Sequence, residues 1–176
     1  MLTDNTETLD MTQPAILEQI ANTTLYWEDL VPGMTYSTSS RTITEADVAA
    51  FAALTGDFNK VHVDAEYAKG TIFGQRIAHG MLVAAFMAGL TSRSIPNQFF
   101  EGSLFSVLEN RLKFPKPTFI GDTIRVEIEV VEQKATSRPD RGIIAFLRKG
   151  INQRGEVVAE MAATCLFKRR PQGEAQ

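Results

Sequence analysis

Apolar residues change their spacing along this chain, and each change marks an element. Val48, Phe51, Ala52 and Leu54 fall at helical spacing behind Thr44-Glu45-Ala46-Asp47, a capping box with Asp where Glu or Gln is usual. A helix is predicted from about 45 to 54, ending at Gly56. A second helix is predicted from about 79 to 92, where Met81 to Leu90 is apolar on every face, the pattern of a buried helix. Its small residues Gly80, Ala84, Ala85, Ala88 and Gly89 let a sheet or a second subunit approach closely. After Gly102 the period falls to two. Ile124, Val126, Ile128 and Val130 alternate with Arg125, Glu127 and Glu129. Shorter alternation runs through Arg111-Leu112-Lys113-Phe114, and a β-prone stretch from Thr35 to Ile43 follows the Val31-Pro32-Gly33 turn signal. Apolar runs from Ile143 to Ile151 and from Val157 to Phe167 are joined by the turn Asn152-Gln153-Arg154-Gly155. Consecutive long strands with short turns imply an antiparallel sheet. The predicted class is therefore α+β, with one long central helix held in the concave face of a curved antiparallel sheet.

The ends read differently. Residues 1–22 are rich in Thr, Asn, Asp and Gln, with one weakly apolar patch at Ile16-Leu17-Glu18-Gln19-Ile20, and are expected to form a loose arm. Residues 23–168 form one domain, and 169–176 a frayed tail. At 176 residues the chain is long enough to bury a core, and 44% hydrophobic with 22% charged residues is an ordinary globular balance. A net charge of −3 offers no general attraction to nucleic acid or an anionic membrane. The one cysteine, Cys165, lies in the apolar run Met161 to Phe167, so it is expected as a buried strand residue. No intrachain disulfide can form, which fits a reducing compartment. The N-terminus lacks the basic start and apolar core of a secretory signal, and the Met81–Leu90 run falls short of the ~20 residues that span a bilayer. A cytoplasmic protein is expected.

Chemistry concentrates in Gly56-Asp57-Phe58-Asn59-Lys60-Val61-His62-Val63-Asp64, where a carboxylate, a carboxamide and an imidazole sit within six positions. The chain has two histidines, and the other, His79, opens the second helix. Imidazole exchanges protons near neutral pH, and a carboxylate beside it completes the minimal equipment for moving protons on a substrate. The same residues also suit a turn beside a buried histidine, with a structural Asp–His hydrogen bond. A zinc site has few candidates here, because no cysteine partner and no His pair at helical spacing accompanies His62 and Asp64. His79 reads as a capping or supporting residue. Gly80 would leave first-turn N–H groups open to a substrate carbonyl. Arg111, Lys113, Lys116 and Arg125 suit a phosphate-bearing cofactor or, more simply, a solvated strand face.

Three stretches together resemble the (R)-specific enoyl-CoA hydratases of the MaoC-like dehydratase family. They are Phe51 to Asp64 with its Asp-x-Asn-x-aliphatic-His pattern, Ile77-Ala78-His79-Gly80-Met81-Leu82, and Phe114 to Thr123 with its Pro-rich turn before Gly121-Asp122. The resemblance covers roughly residues 30–168. It implies a hot-dog fold and a homodimer whose sheets join edge to edge. It also implies a trans-2-enoyl thioester substrate, usually of coenzyme A, in a tunnel near the dimer interface. By the same resemblance Asp57 and His62 would activate one water, Asn59 would orient it, and the Gly80 N–H would bind the thioester carbonyl. No metal or redox cofactor is implied. Lys60 departs from the family, which usually has proline there and so a stiffer loop. An acyl-CoA thioesterase on the same fold and a non-catalytic acyl-thioester-binding module are the alternatives.

Overall fold

Residues 16–171 are described in a computed structural model, so residues 1–15 of the expected arm (1–22) and 172–176 of the expected tail (169–176) lie outside the described residues. Part of the expected arm is a helix, α1 (Ile16–Asn22). A 3-10 turn at Trp27–Asp29 leads to two short strands, β1 (Thr35–Ser37) and β2 (Arg41–Thr42). Then come α2 (Glu45–Thr55), the single-turn helices α3 (Lys60–Val63) and α4 (Ala65–Lys69), and the long α5 (Gly80–Ser92). After α6 (Ile95–Phe100) the chain runs through four long strands. These are β3 (Leu104–Lys113), β4 (Thr123–Ala135), β5 (Arg141–Ile151) and β6 (Val157–Lys168).

The sheet is antiparallel, in the order β1-β4-β5-β6-β3, with β2 also pairing β4. The α+β expectation holds. Alternation along β4 buries Ile124, Val126, Ile128 and Val130 on one face, and β6 buries Ala159, Met161, Ala163, Cys165 and Phe167. On that face the core also contains Leu82, Val83, Met87 and Leu90 of α5. Gly150 permits the helix to come so close, since a Cβ there would stand 2.9 Å from the Met87 sulfur. Cys165 is fully buried, as the sequence suggests.

The wholly buried helix does not materialise. α5 buries Leu82, Val83, Ala84, Met87, Leu90 and Thr91, but Met81 is 56% exposed and Ala85, Ala88 and Gly89 also face outwards. A single sheet covers only one side of a helix, and the described residues leave Met81, Ala85, Ala88 and Gly89 uncovered on the other. The frayed tail is likewise corrected at its start. Arg169 pairs with Glu28 at 2.8 Å and lies over Trp27, while Arg170 pairs with Asp29 at 2.7 Å and lies over Tyr26. Among the described residues, no helix is long and apolar enough to cross a membrane.

Candidate active site

Helix α2 delivers the chain into the site. Thr44 and Asp47 exchange capping hydrogen bonds at 3.2 and 2.9 Å, so Asp serves the box as well as Glu would. At the far end Gly56 adopts φ +78°, and its N–H donates to the Ala52 carbonyl. That left-handed residue turns the chain sharply, so Asp57 follows directly on the cap. The Asp57 carboxylate accepts the Asn59 N–H at 3.3 Å, and the Asn59 side-chain oxygen accepts the Val61 N–H at 3.4 Å. Asn59 thereby caps α3, and α3 carries His62. The expected loop is thus a loop only as far as Asn59. The substituted Lys60 occupies the first turn of α3 with its ammonium 5.7 Å from the Tyr67 ring centroid.

The imidazoles are oriented by carbonyls distant in sequence. His62 Nδ1 lies 2.8 Å from the Ile77 carbonyl oxygen, and His79 Nε2 lies 2.9 Å from the Asp57 carbonyl oxygen. A carbonyl only accepts, so each of those nitrogens carries a proton. In the neutral ring, His62 Nε2 is then left with a lone pair. The two rings stack at 3.9 Å, and Phe51 closes on His79 at 5.1 Å. His79 is 2% exposed and its Nδ1 has no partner. His79 therefore supports the site from below, holding the Asp57 backbone and the His62 ring.

Asp57, His62 and His79 each offer one ligand-type atom, and these atoms lie within 4.8 Å of one another. Such a trio suits proton transfer, and it has the residue types of a divalent-cation site too. Two of its four ring nitrogens are already committed to carbonyls. Asp57 is exposed and His62 half-buried, so water reaches the pair from solvent.

His62 also lines a cavity of ≈ 340 Å³ together with Phe73, Ile77, Gly80, Phe114 and Val158. Asp57 and Asn59 are not among the lining residues. Gly80 is the first residue of α5, so its N–H belongs to the turn that has no intrahelical partner. A Cβ at Gly80 would stand 3.1 Å from three atoms of the Phe114 ring. Glycine thus leaves room for the aromatic ring to close over the helix start without shifting. Phe114 was read from the sequence only as part of an alternating strand and a Pro-rich turn. Its place beside Gly80 depends on a contact 34 positions away.

Behind the cavity, Asp122 holds the Pro-rich turn. Its carboxylate accepts the Phe119 N–H at 2.9 Å, and Phe119 bridges Ile77. Arg154 and Gln153 also donate to it, at 2.7 and 2.9 Å. Burial alone would raise the Asp122 carboxyl, but the hydrogen bonds from Arg154, the Phe119 N–H and Gln153 hold it below the usual range. Lys116 pairs with Glu156 and Arg125 with Glu127, so neither is a free phosphate contact, and Arg111 and Lys113 are exposed.

The sequence matches the MaoC-like domain family over residues 29–145. It is 34% identical over 145 residues to an (R)-specific enoyl-CoA hydratase of Rhodospirillum rubrum, covering 82% of this chain and 93% of that one. The crystal structure of the MaoC-like dehydratase from Rhodospirillum rubrum superposes with a TM-score of 0.76 at 32% identity, over 84% of this chain and 99% of that one. A Mycobacterium tuberculosis protein with a double hotdog fold shares the fold, with a TM-score of 0.71 at 20% identity over 87% of this chain and 47% of its own. With the helix cradled by the antiparallel sheet, the architecture is a hot-dog fold, and the chain belongs to the MaoC-like dehydratase domain family.

Proposed function

We propose that this protein is a hydro-lyase that reversibly hydrates a trans-2-enoyl-CoA to the (R)-3-hydroxyacyl-CoA. The observation that carries it is the approach of Asp57 and His62, with ligand-type atoms within 4.8 Å, His62 lining a cavity that Gly80 also lines. Adding water across a conjugated thioester requires a base for the water, an acid for the α-carbon and a donor for the developing enolate oxygen. The Asp57 carboxylate and His62 Nε2 hold one water between them. The pair takes its proton as the hydroxyl adds to the β-carbon, and returns a proton to the α-carbon. Asn59 keeps its amide –NH2 for the water while its oxygen caps α3. The Gly80 N–H, with the α5 dipole behind it, takes the thioester oxygen as negative charge grows there. The cycle needs no electron transfer, and we assign it no metal or redox cofactor.

A homodimer supports the same function. β3 is an outer strand of the sheet with unpaired backbone groups, and exposed Phe105, Val107 and Leu108 lie along it. The outward face of α5 adds Met81 and the small residues Ala85, Ala88 and Gly89. A second copy joined at this edge would bury both.

The test is to add crotonyl-CoA and follow loss of the conjugated enoyl absorbance, with wild type and Asp57→Asn compared at equal folded fraction. Wild type consumes the absorbance without releasing thiol, and Asp57→Asn does so slower by about a hundredfold or more. Thiol release detected by a thiol-reactive dye would instead establish a thioesterase. An unchanged rate in Asp57→Asn would sink the assigned mechanism. Dialysis against a chelator leaves the rate unchanged if no metal takes part.

A further inference from the structure

Strand β5 carries a cation on the face that packs against the central helix. Ile144, Phe146, Arg148 and Gly150 alternate onto that face, and the first two are at most 2% exposed. Cross-strand register puts Arg148 between Ile128 of β4 and Met161 of β6, both core residues. The guanidinium lies 5.5 Å from the Phe146 ring centroid, and one terminal nitrogen faces the Met161 sulfur at 3.7 Å. Its Nε is buried with no hydrogen-bond partner. Among the described residues no carboxylate pairs with it, although ten other arginines and lysines form ion pairs. The neighbouring titratable groups do not neutralise it either. Burial pushes the Tyr36 phenol up to about 12 and raises the Cys165 thiol, so both stay uncharged at neutral pH. A guanidinium cannot shed its proton, so a half-buried one without a counter-charge is costly unless something supplies an anion.

The position relates directly to the cavity. Phe114, which closes over Gly80, lies one residue past the end of β3 and two beyond Leu112. Leu112 pairs with Met161, and Met161 with Arg148. Arg148 thus shares a sheet face with Leu112, and two strand spacings across with two residues along place it on the order of 12 Å from Phe114. In the single protomer that face is open along its β3 side. Val107, opposite the buried Cys165, is 45% exposed, and Leu112 and Arg148 are half-buried.

We propose that Arg148 receives a carboxylate at the far end of the substrate's acyl chain, so that the preferred thioester carries a dicarboxylic acyl group of medium length. The proposal rests on the enoyl-thioester function above and names its substrate class. The thioester end is held at Gly80, the chain runs under α5 across Leu112 and Met161, and the terminal carboxylate meets the guanidinium. Phe146 and Met161 supply the apolar walls that strengthen such a pair.

The experiment compares trans-2-enoyl-CoA thioesters in a chain-length series, each length made with a terminal carboxylate and with a terminal methyl. Wild type prefers the carboxylate member at one length by about tenfold or more in kcat/KM. Arg148→Met loses that preference, and Arg148→Lys keeps part of it. No preference at any length, or an equal loss on both members in Arg148→Met, overturns the proposal. Dissociation of the dimer in Arg148→Met by size-exclusion chromatography would assign the cation to a subunit contact and overturn it as well. If neither series is hydrated, it is the hydratase function that fails. Calorimetric binding of the matched saturated thioesters to wild type and Arg148→Lys then decides Arg148 separately: equal affinities for the two members sink it. Should Arg148→Met not fold, the wild-type preference and its change in Arg148→Lys decide the matter.

Discussion

The backbone carbonyl of Ile77 receives the Nδ1 proton of His62 at 2.8 Å, while the Ile77 N–H donates to the Val61 carbonyl at 3.3 Å. One residue thus holds both the helix that carries His62 and the ring itself. Ile77 is in turn fixed by its bridge to Phe119. The consequence is a histidine whose Nε2 is free to take a proton, held by backbone that side-chain substitution leaves in place.

Replacing His62 by Gln keeps a polar side chain of similar reach but removes the titratable nitrogen. Hydration of crotonyl-CoA is expected to fall by about a hundredfold or more, with thermal stability nearly unchanged. A rate within about threefold of wild type would remove His62 from the chemistry.

His79→Ala removes the ring stacked at 3.9 Å on His62 and the N–H that holds the Asp57 carbonyl. Because His79 acts through these two residues, kcat is expected to drop by about ten- to a hundredfold, with KM little changed. It also opens a void in a buried position, so Tm falls. His79→Gln, which restores a donor, should recover part of the rate. No recovery would mean that only packing is lost.

Gly80→Ala puts a methyl 3.1 Å from the Phe114 ring. Either the ring swings away or the helix start shifts, at a cost of about 1–3 kcal/mol. Phe114→Leu should relieve it, so the double variant is expected to be more stable than the sum of the single losses predicts. Strict additivity of Tm changes would show that the two residues do not touch.

Asp122 and Glu156 make the turn behind the cavity sensitive to acid. Hydrogen bonds from Asn152, Lys116 and Arg154 lower the Glu156 carboxyl from 4.5 to about 2, and Asp122 is lowered as described. A carboxyl lowered in the folded state stabilises above its unfolded value and loses that contribution as pH falls through its folded value. Chemical denaturation is therefore expected to show stability falling as pH drops from about 4.5 towards 2. Asp122→Asn should flatten part of that fall, and an unchanged pH profile would refute the assignment. Asp122→Ala, which takes the acceptor from the Phe119 N–H and the half-exposed Arg154, costs about 1–3 kcal/mol at neutral pH.

The strands that were legible were those with one buried face. Period-two alternation from Ile124 to Val130 marks β4 because one side meets the core and the other meets water. β3 was visible only over its last residues. It begins at Leu104, but it lies at the sheet edge, carries two register shifts and is exposed along most of its length. With neither face consistently buried, no alternation was imposed on it. α3 escaped notice because a single turn capped by Asn59 is too short for any apolar period. Phe100 gave no sequence signal, yet from the short α6 it stacks with Phe146 and meets Phe167 edge-on. Arg148 had a readable signal: it shares period-two spacing with Ile144, Phe146 and Gly150, and so had to face the core.

By itself, the sequence pointed to the residues that could move a proton and to the longer elements, α2, α5, β4, β5 and β6. Those depend on residue type and on spacing over a few positions, which local physics reads directly. It also placed Asp57 and Asn59 at the end of a helix, since Gly56 is suited to the left-handed cap. Only the tertiary structure decided the tautomer-fixing contact of His62 with Ile77, the tether from His79 to Asp57 and the closure of Phe114 over Gly80. It also decided that one side of α5 lies exposed and that, among the described residues, no carboxylate pairs with Arg148. Each of these depends on which distant segment packs opposite, and that is settled by burial of the whole core rather than by any short stretch of it.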